Sequence, residues 1–338
     1  MERVLITGGA GFVGTTLALH LSGKCEIYIM DNLFRKGTER NLEMLKELKN
    51  VKFINGDIRK ESDFERIPEV DTVFHCAAQT AVTTSMKDPR LDFEINALGT
   101  FNTLEFARKH DSSFIYCSTN KVYGDNVNKV PIRDTGKRYD FANEFSGKGI
   151  PHHFSIDTHE HTPYGTSKLT GEKYTREYHA VYGLKTVVNR MSCIYGTNQY
   201  GNEDQGWVAH FVISSVMDRP IRIYGDGKQV RDILWGRDLA RLFELEALNI
   251  NKVAGEIFNV GGGYSNTISL LELLEILKNL RGKDITYTFH EWRPADQKVY
   301  YSDISKPKEL LGWEPQVSKE EGVKMLHDWV VENKRFWS

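Results

Sequence analysis

The chain opens with an apolar run, Arg3-Val-Leu-Ile-Thr7, breaks at a glycine cluster, and resumes as a helical pattern of apolar positions through Leu21. The unbroken run predicts a strand buried on both faces, and the 3.6-residue period after it predicts an amphipathic helix. Similar runs at Cys25–Met30, Val51–Asn55, Asp71–Phe74, Ser113–Cys117 and Lys185–Arg190 predict further strands, with a long helical region from about Asp92 to His110. Strands alternating with helices predict an α/β fold, a doubly wound parallel sheet whose ligands lie outside the carboxyl ends of its strands.

Beyond Arg190 the segments shorten and turns multiply. Gly225-Asp-Gly227 between two β-rich runs predicts a hairpin within Ile221–Asp232. Returns to the sheet are expected near Trp235 and at Glu256–Val260, and helices near Ser269–Leu280 and Lys319–Trp329. The expected division is therefore a sheet domain of residues 1–190 with 232–260, and a smaller mixed α/β C-terminal substrate lobe of 191–231 with 261–338. From Gly124 to Thr162 no period is sustained, and a loop of that length is expected to cover the substrate mouth.

Composition narrows the function without choosing it. Of 338 residues, 40% are hydrophobic and 27% charged, ordinary values for a globular protein. A formal charge of -2 lacks the cationic excess that nucleic-acid binding requires. No apolar run has the length to span a bilayer and the first residues enter a strand directly, so no membrane partner and a cytoplasmic location are expected. Cys25, Cys76, Cys117 and Cys193 are far apart and read as buried thiols. His152, His153, His159 and His161 match no metal-site spacing and read as a solvated loop, so no metal is expected.

Candidate chemistry begins at Gly8-x2-Gly11-x2-Gly14. In a strand–turn–helix setting, such glycines make the turn tight, admit a pyrophosphate close to the backbone, and let the helix pack on the strand. Asp31 ends the second predicted strand, where a carboxylate meets an adenosine ribose and repels a 2'-phosphate. NAD is thus favoured over NADP, and the following Arg35-Lys36 read as a solvated loop. Asp57, His75 and Ala77 also lie at strand ends, His75 as a structural histidine. Ser118-Thr-Asn-Lys121 then brings hydroxyl, amide and amine to the same edge.

In His161-Thr-Pro-Tyr-Gly-Thr-Ser-Lys168, Thr162 can cap a helix and Pro163 suits its first turn, which sets Tyr164 and Lys168 one turn apart on one face. A free tyrosine titrates near ~10. A cation fixed nearby favours the phenolate, so the pattern predicts a phenol lowered toward use as a proton acceptor.

Together, Thr7-Gly8-x2-Gly11-x2-Gly14, Asp31-Asn32, Asp57-Ile58, His75-Cys-Ala-Ala78, Ser118-Thr-x2-Val-Tyr-Gly124, Tyr164-x3-Lys168 and Arg231-Asp232 resemble the extended short-chain dehydrogenase/reductases, the family of nucleotide-sugar epimerases and dehydratases, over essentially the whole chain. The resemblance implies a Rossmann-type NAD-binding domain and a lobe for a nucleoside diphosphate sugar. It assigns catalysis to Thr119, Tyr164 and Lys168. To the cofactor it assigns Gly8, Gly11, Phe12, Val13, Gly14, Asp31, Asn32, Asp57, Ile58, Cys76, Ala77, Ala78, Asn96, Tyr164, Lys168 and Met191. Substrate falls to Thr119, Asn120, Lys121, Gln205, Trp207, Val208, Tyr224, Arg231 and Arg293.

Family dehydratases carry Asp-Glu after the Ser/Thr, whereas this chain has Asn120-Lys121, which disfavours elimination. Arg190-Met-Ser-Cys193 departs from the Arg-Tyr-Phe-Asn of the 4-epimerases. Thr119–Gly124, Asp204–Val208 and Gly225–Asp232 resemble the CDP-tyvelose (CDP-paratose) 2-epimerase branch. The implied reaction is inversion of C2 of a CDP-hexose through a 2-keto sugar, CDP-paratose to CDP-tyvelose or CDP-glucose to CDP-mannose. The alternatives are 4-epimerisation of a UDP-sugar and a non-catalytic dinucleotide-binding protein of the same fold. By analogy a homodimer or homotetramer is expected, paired through the helices that end in His110 and contain Tyr164.

Overall fold

The computed structural model describes residues 1–337. Its strands are β1 (Arg3–Thr7), β2 (Glu26–Asp31), β3 (Val51–Asn55), β4 (Thr72–His75), β5 (Ser113–Thr119), β6 (Ile132–Asp134), β7 (Tyr139–Phe141), β8 (Thr186–Met191), β9 (Cys193–Tyr195), β10 (Ile221–Tyr224), β11 (Val230–Trp235), β12 (Ile257–Val260), β13 (Thr267–Ser269), β14 (Tyr287–His290) and β15 (Val299–Tyr300). Seven of them form one sheet in the order β12-β8-β5-β4-β1-β2-β3, parallel throughout. From β1 the chain winds outward through β2 to β3, then crosses back to β4 on the other side. The reversal opens a crevice at the carboxyl ends of β1 and β4, the place where a doubly wound sheet receives ligands.

The apolar runs fill both faces of that sheet. On one side Val4, Ile6, Ile27, Ile29 and Phe74 pack with Leu17 and Ala18 of helix Phe12–Leu21 and Leu242 and Phe243 of helix Gly236–Leu248. On the other Leu5, Val73, Phe114 and Tyr116 meet Leu104 and Ala107 of helix Gly99–Lys109. This is the expected Rossmann-type architecture.

The smaller lobe has its own core, where helices Trp207–Val216, Leu270–Arg281 and Lys319–Glu332 close over Ile223, Ile233 and Ile268. Ser269 caps the second of these helices in a reciprocal pair with Glu272, which explains the abrupt start of the apolar period there.

Three expectations are corrected. Val230–Trp235 does not return to the central sheet; β11 lies between β13 and β15 and pairs also with β9, so residues 232–235 belong to the lobe's strands. The Gly225–Gly227 turn is present with both glycines at positive φ, yet it makes no hairpin, because β10 pairs with β14 and β11 is already flanked on both edges. The expected long helical region is present as Pro89–Lys109, with a π-helical turn at Glu94–Leu98 inside it.

The third concerns Gly124–Thr162, none of whose residues lines the cleft. It forms the β6–β7 hairpin and buries Phe141, Ile150 and Ile156 against Tyr300 and Tyr301, an apolar anchor too scattered in sequence to show as a period.

Beneath the sheet, Asn189 of β8 donates its Nδ2 to Glu246 Oε2 at 3.0 Å. The remaining oxygens of the two groups, Glu246 Oε1 and Asn189 Oδ1, are buried acceptors without a donor. Burial pushes the Glu246 carboxyl well above its usual range, the Asn189 bond pulling back, so the carboxyl keeps its proton. The folded state thus holds a proton that an unfolded glutamate releases above about 4.3, and this contribution to stability is lost as pH rises through the folded value. Glu246→Gln keeps a donor and an acceptor without titrating. It should raise Tm at about pH 8, by about 2–4 °C per kcal/mol recovered, and flatten the alkaline decline in thermal melts. A variant that melts at or below wild type there would contradict a protonated Glu246.

Candidate active site

The helix Pro163–Tyr182 starts as its sequence dictates. Thr162 accepts a hydrogen bond from Gly165 N–H at 3.1 Å, Pro163 occupies the first turn, and Gly183 ends the helix at positive φ. Tyr164 and Lys168 are both buried on its inner face. The helix is fixed to the sheet by Glu172, which accepts two bonds from Arg190 of β8 (2.6 and 3.1 Å) and one from Ser118 of β5 at 3.1 Å. Thr119, the next residue along β5, therefore faces Tyr164.

These three side chains line a cleft of about 390 Å³ between the sheet and the lobe. The electrostatics reverse the expected lowering of the phenol. Burial pushes Tyr164 up to about 12, with a hydrogen bond from Thr119 pulling the other way, and burial brings Lys168 down to about 8. Lys168 Nζ lies 4.3 Å from the centroid of the Tyr116 ring. Lys168 does not offset the desolvation of its neighbour, so in the protein alone this is a dry phenol beside an amine that readily loses its proton.

The glycine turn is built for close approach. Gly8 has φ +66, and a Cβ there would lie 2.7 Å from the Ala77 backbone; one on Gly14 would lie 2.4 Å from Gly8 O. Gly11 caps helix Phe12–Leu21 without a side chain, leaving first-turn N–H groups to an anion. Asp31 accepts from Ala10 N–H (3.1 Å) and Leu33 N–H (2.8 Å), which holds its carboxylate beside that turn with acceptor capacity to spare. These features fit the phosphates and ribose of a dinucleotide.

Of the residues assigned to the cofactor, Phe12, Val13, Cys76, Ala78, Tyr164, Lys168 and Met191 line the cleft itself. Gly8, Gly11, Gly14, Asp31, Asn32 and Ala77 lie at or just beyond the carboxyl ends of β1, β2 and β4. Asp57 follows β3 with its carboxylate on Arg59 at 2.6 Å and Asn32 at 3.3 Å. Ile58 is buried in the sheet's apolar core, where Gly99 packs against it. Asn96 is not brought to the cleft. The π-helical turn puts it in the interior, where it accepts from Gln79 N–H (2.9 Å) and donates to Gln79 O (3.0 Å), a brace behind the Ala77–Ala78 wall. His75 is likewise structural, buried between Thr7 and Thr100 hydroxyls at 2.8 and 3.0 Å.

Every residue assigned to substrate reaches the cleft: Thr119, Asn120, Lys121, Gln205, Trp207, Val208, Tyr224, Arg231 and Arg293. Both arginines already hold carboxylates. Arg231 meets Asp296 at 2.6 Å, and Arg293 lies 3.6 Å from Asp204 with its guanidinium over the Tyr224 ring. Burial brings Lys121 down to about 8, Asp296 opposing and Arg231 adding to the shift.

Arg35 corrects the solvated-loop reading. It is half-buried, donating to Thr80 Oγ1 at 2.8 Å and to Gln205 Oε1, and so ties the loop after β2 to the lobe. Asp296 and Glu203, the latter accepting from Tyr224 Oη at 2.6 Å, were also missed. Their one signal was proximity in sequence to Arg293 and Gln205. Among the described residues no group of His, Cys, Asp or Glu could hold a metal ion, and no helix is long and apolar enough to cross a membrane.

Comparison with known proteins gives the same reading. Residues 4–261 match the NAD dependent epimerase/dehydratase family model. The chain is 40% identical to the CDP-paratose 2-epimerase of Salmonella typhi over 97% of its own length and 98% of that protein's. It is 33% identical to a putative UDP-glucose 4-epimerase of Methanocaldococcus jannaschii, covering 98% and 99% of the two chains. Among solved structures, UDP-glucose 4-epimerase of Thermotoga maritima with UDP-glucose superposes with a TM-score of 0.84 at 31% identity, covering 98% of this chain and 100% of that one.

The close contacts at the glycine turn generate a prediction. Gly14→Ala places a methyl 2.4 Å from a backbone oxygen, so the turn must open. Purified Gly14→Ala should retain its secondary structure by circular dichroism yet bind NAD at least about tenfold more weakly by calorimetry, the equivalent of about 1.4 kcal/mol. Undiminished affinity would remove the turn from the cofactor site.

Proposed function

Because this chain belongs to the NAD-dependent epimerase/dehydratase family, we propose that it inverts C2 of a CDP-hexose, converting CDP-paratose to CDP-tyvelose or CDP-glucose to CDP-mannose. NAD is its cofactor. The observation that carries the choice of carbon and base is the likeness to the Salmonella typhi enzyme across nearly the whole of both chains. The cleft supports it, since Asn120 and Lys121 follow Thr119 with an amide and an amine, and neither supplies the carboxyl pair of an elimination.

In this reading Thr119 orients the C2 hydroxyl and Tyr164 takes its proton. NAD held by the glycine turn and Asp31 would supply a hydride acceptor and donor for C2 and, oxidised, a positive charge beside the phenol. Lys168 and that charge together must overcome the desolvation that holds Tyr164 near 12 in the protein alone. After the 2-keto sugar turns over, Tyr164 returns the proton, so the residue ends each cycle as it began. Asn120 and Lys121 hold the sugar with C2 toward Tyr164, and Arg231 and Arg293 take the diphosphate through their planar, charged forks. The cofactor is held by the glycine turn, Asp31 and the walls of the cleft.

We further propose that the enzyme is a homodimer or homotetramer. Phe93, Leu98, Phe101, Tyr174, Val181 and Tyr182 lie exposed along the helices Pro89–Lys109 and Pro163–Tyr182, a stripe that pairing would cover.

A second reading, 4-epimerisation of a UDP-sugar, draws support from the UDP-glucose 4-epimerase relatives and uses the same Thr119, Tyr164 and Lys168. Incubation with CDP- and UDP-sugars, followed by NMR of the inverted carbon, separates the two; inversion at C4 alone would overturn the first. In either case Tyr164→Phe should lower kcat about 10²–10⁴-fold. Lys168→Met should shift the rising alkaline limb of the pH–rate profile to higher pH, since the proton acceptor loses its cation. Lys121 carries its charge below about 8. KM should therefore rise as pH passes that value, and in Lys121→Met it should be raised below that pH and show no rise across it, with kcat less affected.

A further inference from the structure

We propose that Cys76 and Cys117 form a dithiol modification site in the floor of the cofactor cleft, one that closes to a disulfide with a peroxide and captures a trivalent arsenical. The two lie 41 residues apart in sequence, which hides the pair, but the sheet brings them together. His75 of β4 is in register with Tyr116 of β5, so the next residues leave the parallel strands side by side. Their sulfurs are 3.6 Å apart, and both residues line the cleft. Cys193, by contrast, accepts a hydrogen bond from the Trp207 indole at 3.2 Å.

The Cys76 thiol is unreactive alone. The hydrogen bond with Cys117 and then burial hold the Cys76 thiol well above its ordinary range, with Lys168 opposing, so single alkylation is slow. Their proximity makes them a unit. With hydrogen peroxide, one sulfur attacks the O–O bond to give a sulfenic acid and one water; the second sulfur displaces its oxygen as another water. The S–S bond forms, two thiols lose two electrons and two protons, and the peroxide is reduced. With an arsenoxide no redox change occurs: two S–H bonds become two S–As bonds and one water leaves.

A disulfide needs its sulfurs at about 2.0 Å, so the strand ends must draw together. Those ends carry the Ala77–Ala78 wall on one side and Thr119 on the other, and closure deforms both. A bridge between adjacent parallel strands is strained and hence easily reduced. The modification is therefore reversible.

The test treats the full-length enzyme with hydrogen peroxide and, separately, with phenylarsine oxide, with and without added NAD, and counts free thiols after denaturation alongside peptide mapping. Thiols should fall from four to two, the Cys76 and Cys117 peptides should be joined by peroxide, and dithiothreitol should restore them. NAD at ten times its Kd should slow the loss about tenfold by occupying the cleft. Cys117→Ser, or Cys76→Ser should the first not fold, should no longer capture the arsenical, while Cys25→Ser still loses two thiols. Survival of all four thiols at every NAD concentration, loss of Cys25 or Cys193 ahead of the pair, a rate indifferent to NAD, or capture by Cys117→Ser would each overturn the proposal. The readout is the thiols, so it stands apart from which sugar the enzyme uses.

Discussion

The buried ion pair between Arg190 and Glu172 is the constraint on which the site depends. Both side chains are almost entirely out of water, and each satisfies more than the other: Glu172 also accepts from Ser118, while Arg190 also donates to Tyr123 Oη (3.0 Å) and His152 O (2.7 Å). Desolvating two charges is costly, and removing one partner of such a pair costs about 3–5 kcal/mol. What the arrangement secures is registry. Glu172 sits one turn beyond Lys168, Ser118 precedes Thr119, and Arg190 precedes Met191, so one network sets the catalytic helix, β5 and β8 relative to each other. A slip of any of the three would move Tyr164 away from the hydroxyl it must face.

The same burial that makes this network rigid sets the chemistry of the cleft. A dry site raises a phenol and lowers an amine, and both occur at Tyr164 and Lys168. The protein alone therefore favours the uncharged forms, and the phenolate becomes accessible only when a further positive charge shares the site. In the proposed reaction, proton abstraction by Tyr164 is in this way coupled to an oxidised cofactor. On the lobe side Arg231 pairs with Asp296 and Arg293 lies beside Asp204, so both guanidiniums face the cleft already partnered by carboxylates.

How much of this the sequence carried follows from the range of each interaction. The sheet was legible because a strand buried on both faces must be apolar along its length, and the glycine turn because the contacts that exclude a side chain lie within a few residues of each other. Thr162, Tyr164 and Lys168 were legible because one helical turn spans four residues. The placement of β11 was not, since its partners β9, β13 and β15 are set by packing between distant segments, and a turn with two glycines at positive φ is the same local object whether or not the flanking strands pair. The anchoring of Gly124–Thr162 rests on Phe141, Ile150 and Ile156, spaced at no regular period. Asn96 was assigned by resemblance alone, and the π-helical turn that holds it rotates side chains away from the 3.6-residue expectation. Arg35 stands in a polar stretch, and only the fold reveals that Thr80 and Gln205 lie within its reach.

The segment Arg293–Gln297 shows why a site can be assembled from residues that look unremarkable one by one. Ala295 O accepts from Lys121 Nζ at 3.4 Å, Asp296 pairs with Arg231, and Gln297 Oε1 accepts from Asn120 Nδ2 at 3.1 Å. Arg293 completes the set through Glu203. Ala295 takes φ +56, a conformation that costs a residue with a Cβ of order 1–3 kcal/mol and persists where the surroundings over-determine it. The bend is what lets consecutive residues reach Lys121, Arg231 and Asn120 together. Because those three stand on the central sheet's exit from β5 and on β11 of the lobe, one strained turn joins the sheet side of the cleft to its lobe side, and backbone geometry sets that junction as much as any single contact.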